Sequence, residues 1–193
     1  MVKHRIVFSI DNDFRNFTVQ FAKIAESLGI ELHDADYQNG FRDVKDPRTG
    51  NSLLQKCYAD PLYASKLFYE APIVEEGIYI YEQMVNFLSN HANFYFYAKV
   101  HQLTNKRLNM AWLDKYKMLE GNQIFFRKNV LDIPANMIVT ASLSDCNKYI
   151  LNKRSAMLIK MPFNQGNTIH PSIHIADNIA DAYNEIINYV RNY

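Results

Sequence analysis

Ile6-Val7-Phe8-Ser9-Ile10 runs directly into Asp11-Asn12-Asp13 near the start of the chain. A short, almost unbroken apolar run with β-branched members is the pattern of a strand buried on both faces of a parallel sheet. The acidic loop that ends it falls where a doubly wound sheet opens its ligand crevice, beyond the carboxyl ends of its strands. Two carboxylates spaced D-x-D there could hold a divalent cation through oxygen, one attacking a phosphoryl group while the other moves protons. The competing reading is a solvated turn or a helix N-cap.

On the C-terminal side, Phe14, Phe17, Phe21, Ile24 and Leu28 recur at helical steps and Gly29 closes the helix. The stretch from Ile30 to about Pro72 is less regular, with a turn at Asp46-Pro47-Arg48-Thr49-Gly50. Residues 14–75 are therefore expected to form a helical cap inserted after the first strand. Ile78, Tyr81, Met84, Val85 and Leu88 predict a helix that feeds a strand at Phe94-Tyr95-Phe96-Tyr97-Ala98. Leu108, Ala111, Trp112 and Leu119 mark the next helix, with Thr104 or Asn105 as N-cap and Trp112 on its inner face. Met137-Ile138-Val139-Thr140 and Ala156-Met157-Leu158-Ile159 read as short buried strands, and Ile179, Ala182, Tyr183, Ile186 and Val190 as an amphipathic last helix. Strands alternating with helices imply an α/β fold, a doubly wound parallel sheet forming a single domain over residues 1–193.

With 193 residues, 48% of them apolar, the chain can bury a core without disulfides or structural metals. Its 21 Lys and Arg against 20 Asp and Glu give a net charge of +1, which supplies no broad field for nucleic acid or anionic membrane. Cys57 and Cys146 match no metal-ligand or secreted-disulfide spacing and read as reduced thiols, implying cytoplasm. No signal peptide core and no membrane-length apolar run occurs. The abundance of Asn, Tyr and Lys suits an AT-rich genome, such as a bacteriophage or low-GC bacterium.

The order of features resembles the HAD-like 5′-nucleotidases, including the 5′(3′)-deoxyribonucleotidase branch, over most of the chain. Ile6 to Asp13 looks like that family's strand and D-x-D loop. Phe68 to Glu76 looks like the re-entry from the cap, and Trp112-Leu113-Asp114-Lys115-Tyr116 like the "WL.KY" helix after the second motif. Met137 to Thr140, followed by Asp145 and Lys148-Tyr149, resembles the third-motif region; Met157-Leu158-Ile159, followed by Pro162 and Asn164, resembles the "LIDD…N" segment. The resemblance implies Asp11 as the nucleophile that becomes an aspartyl-phosphate, Asp13 as general acid/base, Lys148 as the countercharge to the phosphoryl oxygens, and Mg²⁺ held by Asp11 and Asp13.

Three departures weaken the chemistry. Ala98 and Lys99 stand where the second motif offers a hydroxyl, Phe14 replaces the usual glycine and is expected to crowd the loop, and Lys160 and Met161 align with the paired carboxylates of the fourth motif. An ammonium cannot ligate Mg²⁺, so Lys160 is expected to emerge beside Asp11 and Asp13 and take the cation's place. Asp145 and Asn164 are the nearest substitute oxygen donors. His170 and His174 read as packing or surface histidines rather than a metal pair, and no Walker loop, G-x-S-x-G elbow or G-x-G-x-x-G fingerprint is present.

Two functions follow from the resemblance. One is a degenerate relative, monomer or homodimer, that binds a nucleotide, phosphate or protein partner with little or no turnover. The other is an active Mg²⁺-dependent phosphohydrolase of nucleoside monophosphates.

Overall fold

The computed structural model describes residues 3–99, 103–119 and 123–192, apart from the side chains at 88, 89, 103, 104, 123 and 192. The apolar run forms β1, His4–Ser9. Ile6, Phe8 and Ile10 enter one buried cluster and Val7 the other, all with no exposed surface. This two-residue alternation between two covered faces is why the run carries almost no polar side chain.

Next come α1 (Phe17–Ser27), α2 (Asp34–Gln38), α3 (Leu53–Ala59) and α4 (Pro61–Ala64), which continues into a π-helical turn at Ser65–Tyr69. The path then runs through α5 (Gly77–Gln83), a second π-helical turn (Met84–Leu88) and α6 (Ser89–His91) into β2 (Ala92–Lys99). It continues through α7 (Leu103–Lys115), β3 (Gln123–Arg127), β4 (Met137–Thr140), α8 (Leu143–Leu151), β5 (Ser155–Ile159), β6 (Ile173–Ala176) and α9 (Ile179–Asn192).

The strands make one sheet in the order β3-β2-β1-β4-β5-β6, parallel throughout. This is the predicted doubly wound α/β architecture, with β1 central: Ile6 pairs with Phe94 on one flank and Met137 on the other. Because the chain builds outward to β3 and only then crosses to β4, a crevice opens at the carboxyl ends of β1 and β4.

A third apolar cluster lies within the residues between β1 and β2, built on Phe17, Phe21, Phe41, Leu53, Leu67 and Phe68. Two adjacent chain crossings tie these helices to the sheet. Arg15 bridges antiparallel to Ile73, Asn16 N donates to Pro72 O at 2.8 Å, and Val74 N donates to Phe14 O at 2.6 Å.

Several local expectations are corrected. α1 begins at Phe17, because Asn16 Oδ1 accepts from Val19 N at 3.1 Å and caps it. Phe14 precedes the helix and does not crowd the loop; its ring packs edge-on against Phe8 and Phe96 with centroids 5.9 and 5.5 Å away. The left-handed backbone of this turn falls instead on Asn12, at φ 64°. Asn tolerates that region better than most residues, and Asn12 Oδ1 accepts from Thr18 N and Oγ1 at 3.2 and 3.0 Å.

Thr104 and Asn105 lie inside α7 rather than capping it, and the side chain of Thr104 is outside the described residues. Ala111 is exposed, Leu108 turns toward the third cluster, and Leu119 lies beyond the helix end. Trp112 is fully buried, and its Nε1 donates to Ala71 O at 2.7 Å. The edge strands β3 and β6 and the helix α8 have no counterpart among the expected elements; β3 and β6 are short and mix polar with apolar residues, whereas α8 does repeat Leu143, Cys146, Tyr149 and Ile150 at helical steps. Among the described residues no helix is long and apolar enough to cross a membrane.

Candidate functional site

Immediately beyond β1 the chain folds back tightly, Phe14 N and Arg15 N both donating to Ile10 O at 3.2 and 2.9 Å. This turn sends the two acidic side chains different ways. Asp11 keeps 30% of its side-chain surface and lines a cleft of about 920 Å³. Asp13 is buried, its Oδ1 accepting from Ala141 N at 3.1 Å across the β1–β4 crevice. The Asp13 Oδ2 is buried with no hydrogen-bond partner among the described residues. Burial, against the Ala141 N–H and assisted by the charge of Asp11, holds the Asp13 carboxyl well above the ordinary carboxylate range.

The cleft's floor is the loop after β1 together with Thr140 at the end of β4 and Ala141 and Ser142 beyond it. One wall is α8, which contributes Lys148; the other comes from the inserted helices, with Phe17, Phe41, Arg42 and Tyr58. Lys148 and Asp11 are thus brought to one cavity, although 137 positions of sequence (148 − 11) separate them. Asp145 is buried beneath Lys148 and holds its ammonium at 3.3 Å, with 39% of the lysine side chain left exposed.

Lys160 is not at this site. β5, which it follows, is separated from β1 by β4, so its side chain does not reach the crevice. The Lys160 N–H pairs with Ala176 O, and its ammonium is bound to Asp177 at 2.6 Å in open solvent, the two side chains 47% and 68% exposed. The residues that flank Asp11 and Asp13 on the β4 side are Thr140, Ala141 and Ser142, none of them a carboxylate.

The substitute donors fare no better. Asn164 is spent on the backbone, Oδ1 accepting from Met161 N and Nδ2 donating to Ala141 O and Ile159 O, each at 2.9 Å. Ala98 is buried and Lys99 exposed. His170 and His174 lie on the surface, the latter 3.8 Å from Glu185.

The residue that sequence reasoning missed is Arg15. Its guanidinium has no exposed surface, yet all its neighbours are placed to receive it. Nε donates to Asp11 Oδ1 at 2.9 Å and Nη2 makes a shorter contact to the same oxygen. Nη2 also donates to Asn109 Oδ1 at 2.6 Å, and Nη1 to Phe68 O at 3.0 Å. The Phe68 and Trp112 rings lie 5.0 and 5.4 Å from Cζ. An acid and a base four apart was the only sequence signal, and in a loop that spacing carries no geometry.

No protein-family profile and no curated protein sequence matches this chain. Solved structures do. Superposition on a haloacid dehalogenase-like hydrolase, SP0104 of Streptococcus pneumoniae, gives a TM-score of 0.61 at 15% identity, over 97% of this chain and 98% of that one. The HAD hydrolase YfnB of Bacillus subtilis, solved with magnesium bound, gives 0.59 at 15% identity over 97% and 100%. CbbY of Rhodobacter sphaeroides, in complex with phosphate, gives 0.56 at 11% over 93% and 96%.

The chain has the HAD-like hydrolase fold. The cleft over β1 and β4 holds the two carboxylates expected to carry Mg²⁺, but these residues do not fit that ion. Asp11 already shares one oxygen with a buried cation, and Asp13 is buried with its Oδ1 taken by Ala141 N. Among the described residues no three His, Cys, Asp or Glu side chains converge.

Proposed function

We propose that this HAD-fold chain, of the 5′-nucleotidase type, binds a phosphorylated small molecule such as a nucleoside monophosphate in the cleft and turns it over slowly or not at all. In this reading the inserted helices, residues 14–75, act as the cap over the ligand, and Lys148 faces the phosphate.

One observation carries the proposal, the ion pair between Asp11 and the buried Arg15. An in-line nucleophile must present an unencumbered carboxylate oxygen to phosphorus, while a cation on the phosphate side offsets the repulsion between two anions. Here the positive charge sits behind the carboxylate instead. Charge-assisted hydrogen bonds of this kind are worth about 1.5–3 kcal/mol each. Both fall on Oδ1, and because about 1.4 kcal/mol is tenfold in rate, an attack through that oxygen that breaks even one of them is slowed by roughly ten- to a hundredfold. Binding is not opposed in the same way: the cleft retains Lys148 and the hydroxyls of Thr140 and Ser142.

The test is calorimetric titration with a panel of deoxynucleoside 5′-monophosphates and inorganic phosphate, alongside turnover of the same nucleotides and of an aryl phosphate, with and without Mg²⁺. Binding without appreciable turnover is expected. Mg²⁺-dependent turnover abolished by Asp11→Asn would establish an active phosphohydrolase instead. Failure to bind any of these anions would remove the ligand class.

A further inference from the structure

We propose that Arg15 is the cleft's resident cation, an internal charge that stands in for a divalent metal at Asp11 and closes the site to one. The inference rests on the preceding reading for where the ligand lies. Its central measurement, however, is made with a metal ion alone.

The argument begins with the cost of placing Arg15 where it is. A guanidinium with no exposed surface is tolerated only when its N–H groups are met and its charge is opposed. Among the described residues Asp11 is the one carboxylate bonded to it, through both Nε and Nη2. The remaining partners, Asn109 Oδ1 and Phe68 O, are neutral acceptors, and two aromatic faces line the remaining surroundings. Asp11 is therefore held by Arg15 and Arg15 by three separate parts of the fold: the β1 loop, the returning π-helical turn and α7.

The same bonds fix the place of the charge. Arg15 also bridges antiparallel to Ile73, at the crossing where the inserted helices return to the sheet. The guanidinium cannot swing out to admit a metal without releasing Phe68 O and Asn109. Lys160 is bound to Asp177 and Lys148 to Asp145, and neither is bonded to Asp11. A divalent ion would thus compete with a charge that is built in, buried and already neutralising the carboxylate that opens on the cleft. Arg15 touches no ligand in this account, so it is a positioning residue that acts through Asp11.

The experiment is titration with Mn²⁺ alone, followed by electron paramagnetic resonance, on the native protein and on Arg15→Met, which keeps a long unbranched side chain and removes its charge. The native protein is expected to bind Mn²⁺ no more tightly than its Asp11→Asn variant, whereas Arg15→Met gains at least about tenfold in affinity and loses the gain in Arg15→Met/Asp11→Asn. Arg15→Lys, which restores the charge, is expected to return to native behaviour. Native Mn²⁺ binding that is lost in Asp11→Asn would overturn the proposal, as would a folded Arg15→Met with no gain. Should Arg15→Met fail to fold, Asn109→Ala loosens the guanidinium without deleting it; a smaller gain in Mn²⁺ affinity supports the proposal and none overturns it. A parallel titration with inorganic phosphate separates the two readings. Failure to bind phosphate refutes the ligand class, while the Mn²⁺ series still decides the role of Arg15.

Discussion

The Nε of Arg15 lies 2.9 Å from Asp11 Oδ1, joining a guanidinium with no exposed surface to a carboxylate that opens on the cleft. The partners are unequal: Asp11 could be hydrated if the pair broke, but Arg15 could not. Removing the acid therefore leaves an unpaired buried charge, which typically costs about 3–5 kcal/mol. Asp11→Ala is expected to lower stability by an amount near the bottom of that range, measured by urea denaturation. An effect below about 1 kcal/mol, the scale of exposed ion pairs, would show that the pair is a surface contact.

Asp13 should make native stability fall as pH rises through the acidic range. Its carboxyl is held above the ordinary value of 3.8 by burial, so between that value and the raised one the native state keeps a proton that the unfolded chain has lost. Stability is then fully present below the unfolded value and declines above it, by at most about 1.4 kcal/mol per pH unit. Asp13→Asn should flatten this limb and be more stable than the native protein at neutral pH. Denaturation curves across pH 4–7 in which the two proteins run parallel would contradict the assignment.

Lys160→Ala should change almost nothing. Its bond to Asp177 joins two substantially exposed side chains, and such pairs contribute about 0–1 kcal/mol. Phosphate affinity and Mn²⁺ affinity should both match the native protein. A large change in either would mean that Lys160 reaches the cleft.

Lys148 should behave in the opposite way. It lines the cleft with Asp11 and is held by Asp145, so Lys148→Ala is expected to weaken phosphate binding by roughly ten- to a hundredfold, the worth of one charge-assisted bond. Thermal stability should fall as well, since the deletion leaves the buried Asp145 carboxylate without its cation. Unchanged phosphate affinity would move the anion site away from α8.

Trp112→Ala should cost about 3–5 kcal/mol, as emptied aromatic core sites do. Trp112→Phe separates packing from hydrogen bonding, because it refills much of the volume but leaves Ala71 O without its 2.7 Å donor; a loss of about 1–3 kcal/mol is expected. Chemical denaturation of both variants reads the difference. If Trp112→Ala is neutral, the indole is not part of the core.

Local patterning was enough to place β1, the helix α9 and the burial of Trp112, because a strand or helix that buries a face repeats its apolar residues at its own period. The alternation of such segments also implied a parallel sheet, and the acidic loop marked the end of β1 where a crevice must open. What no local pattern contains is the order of strands. Residues 137–140 and 156–159 are equally apolar, yet only β4 lies against β1, which sets Thr140 and Ala141 beside the acids and removes Lys160 from them. Arg15 is the same case in one residue. Its neighbours Phe68 and Asn109 are 53 and 94 positions away, and a charge can be buried only where distant parts of the chain converge to satisfy it, so the cation at this site was decided by tertiary packing.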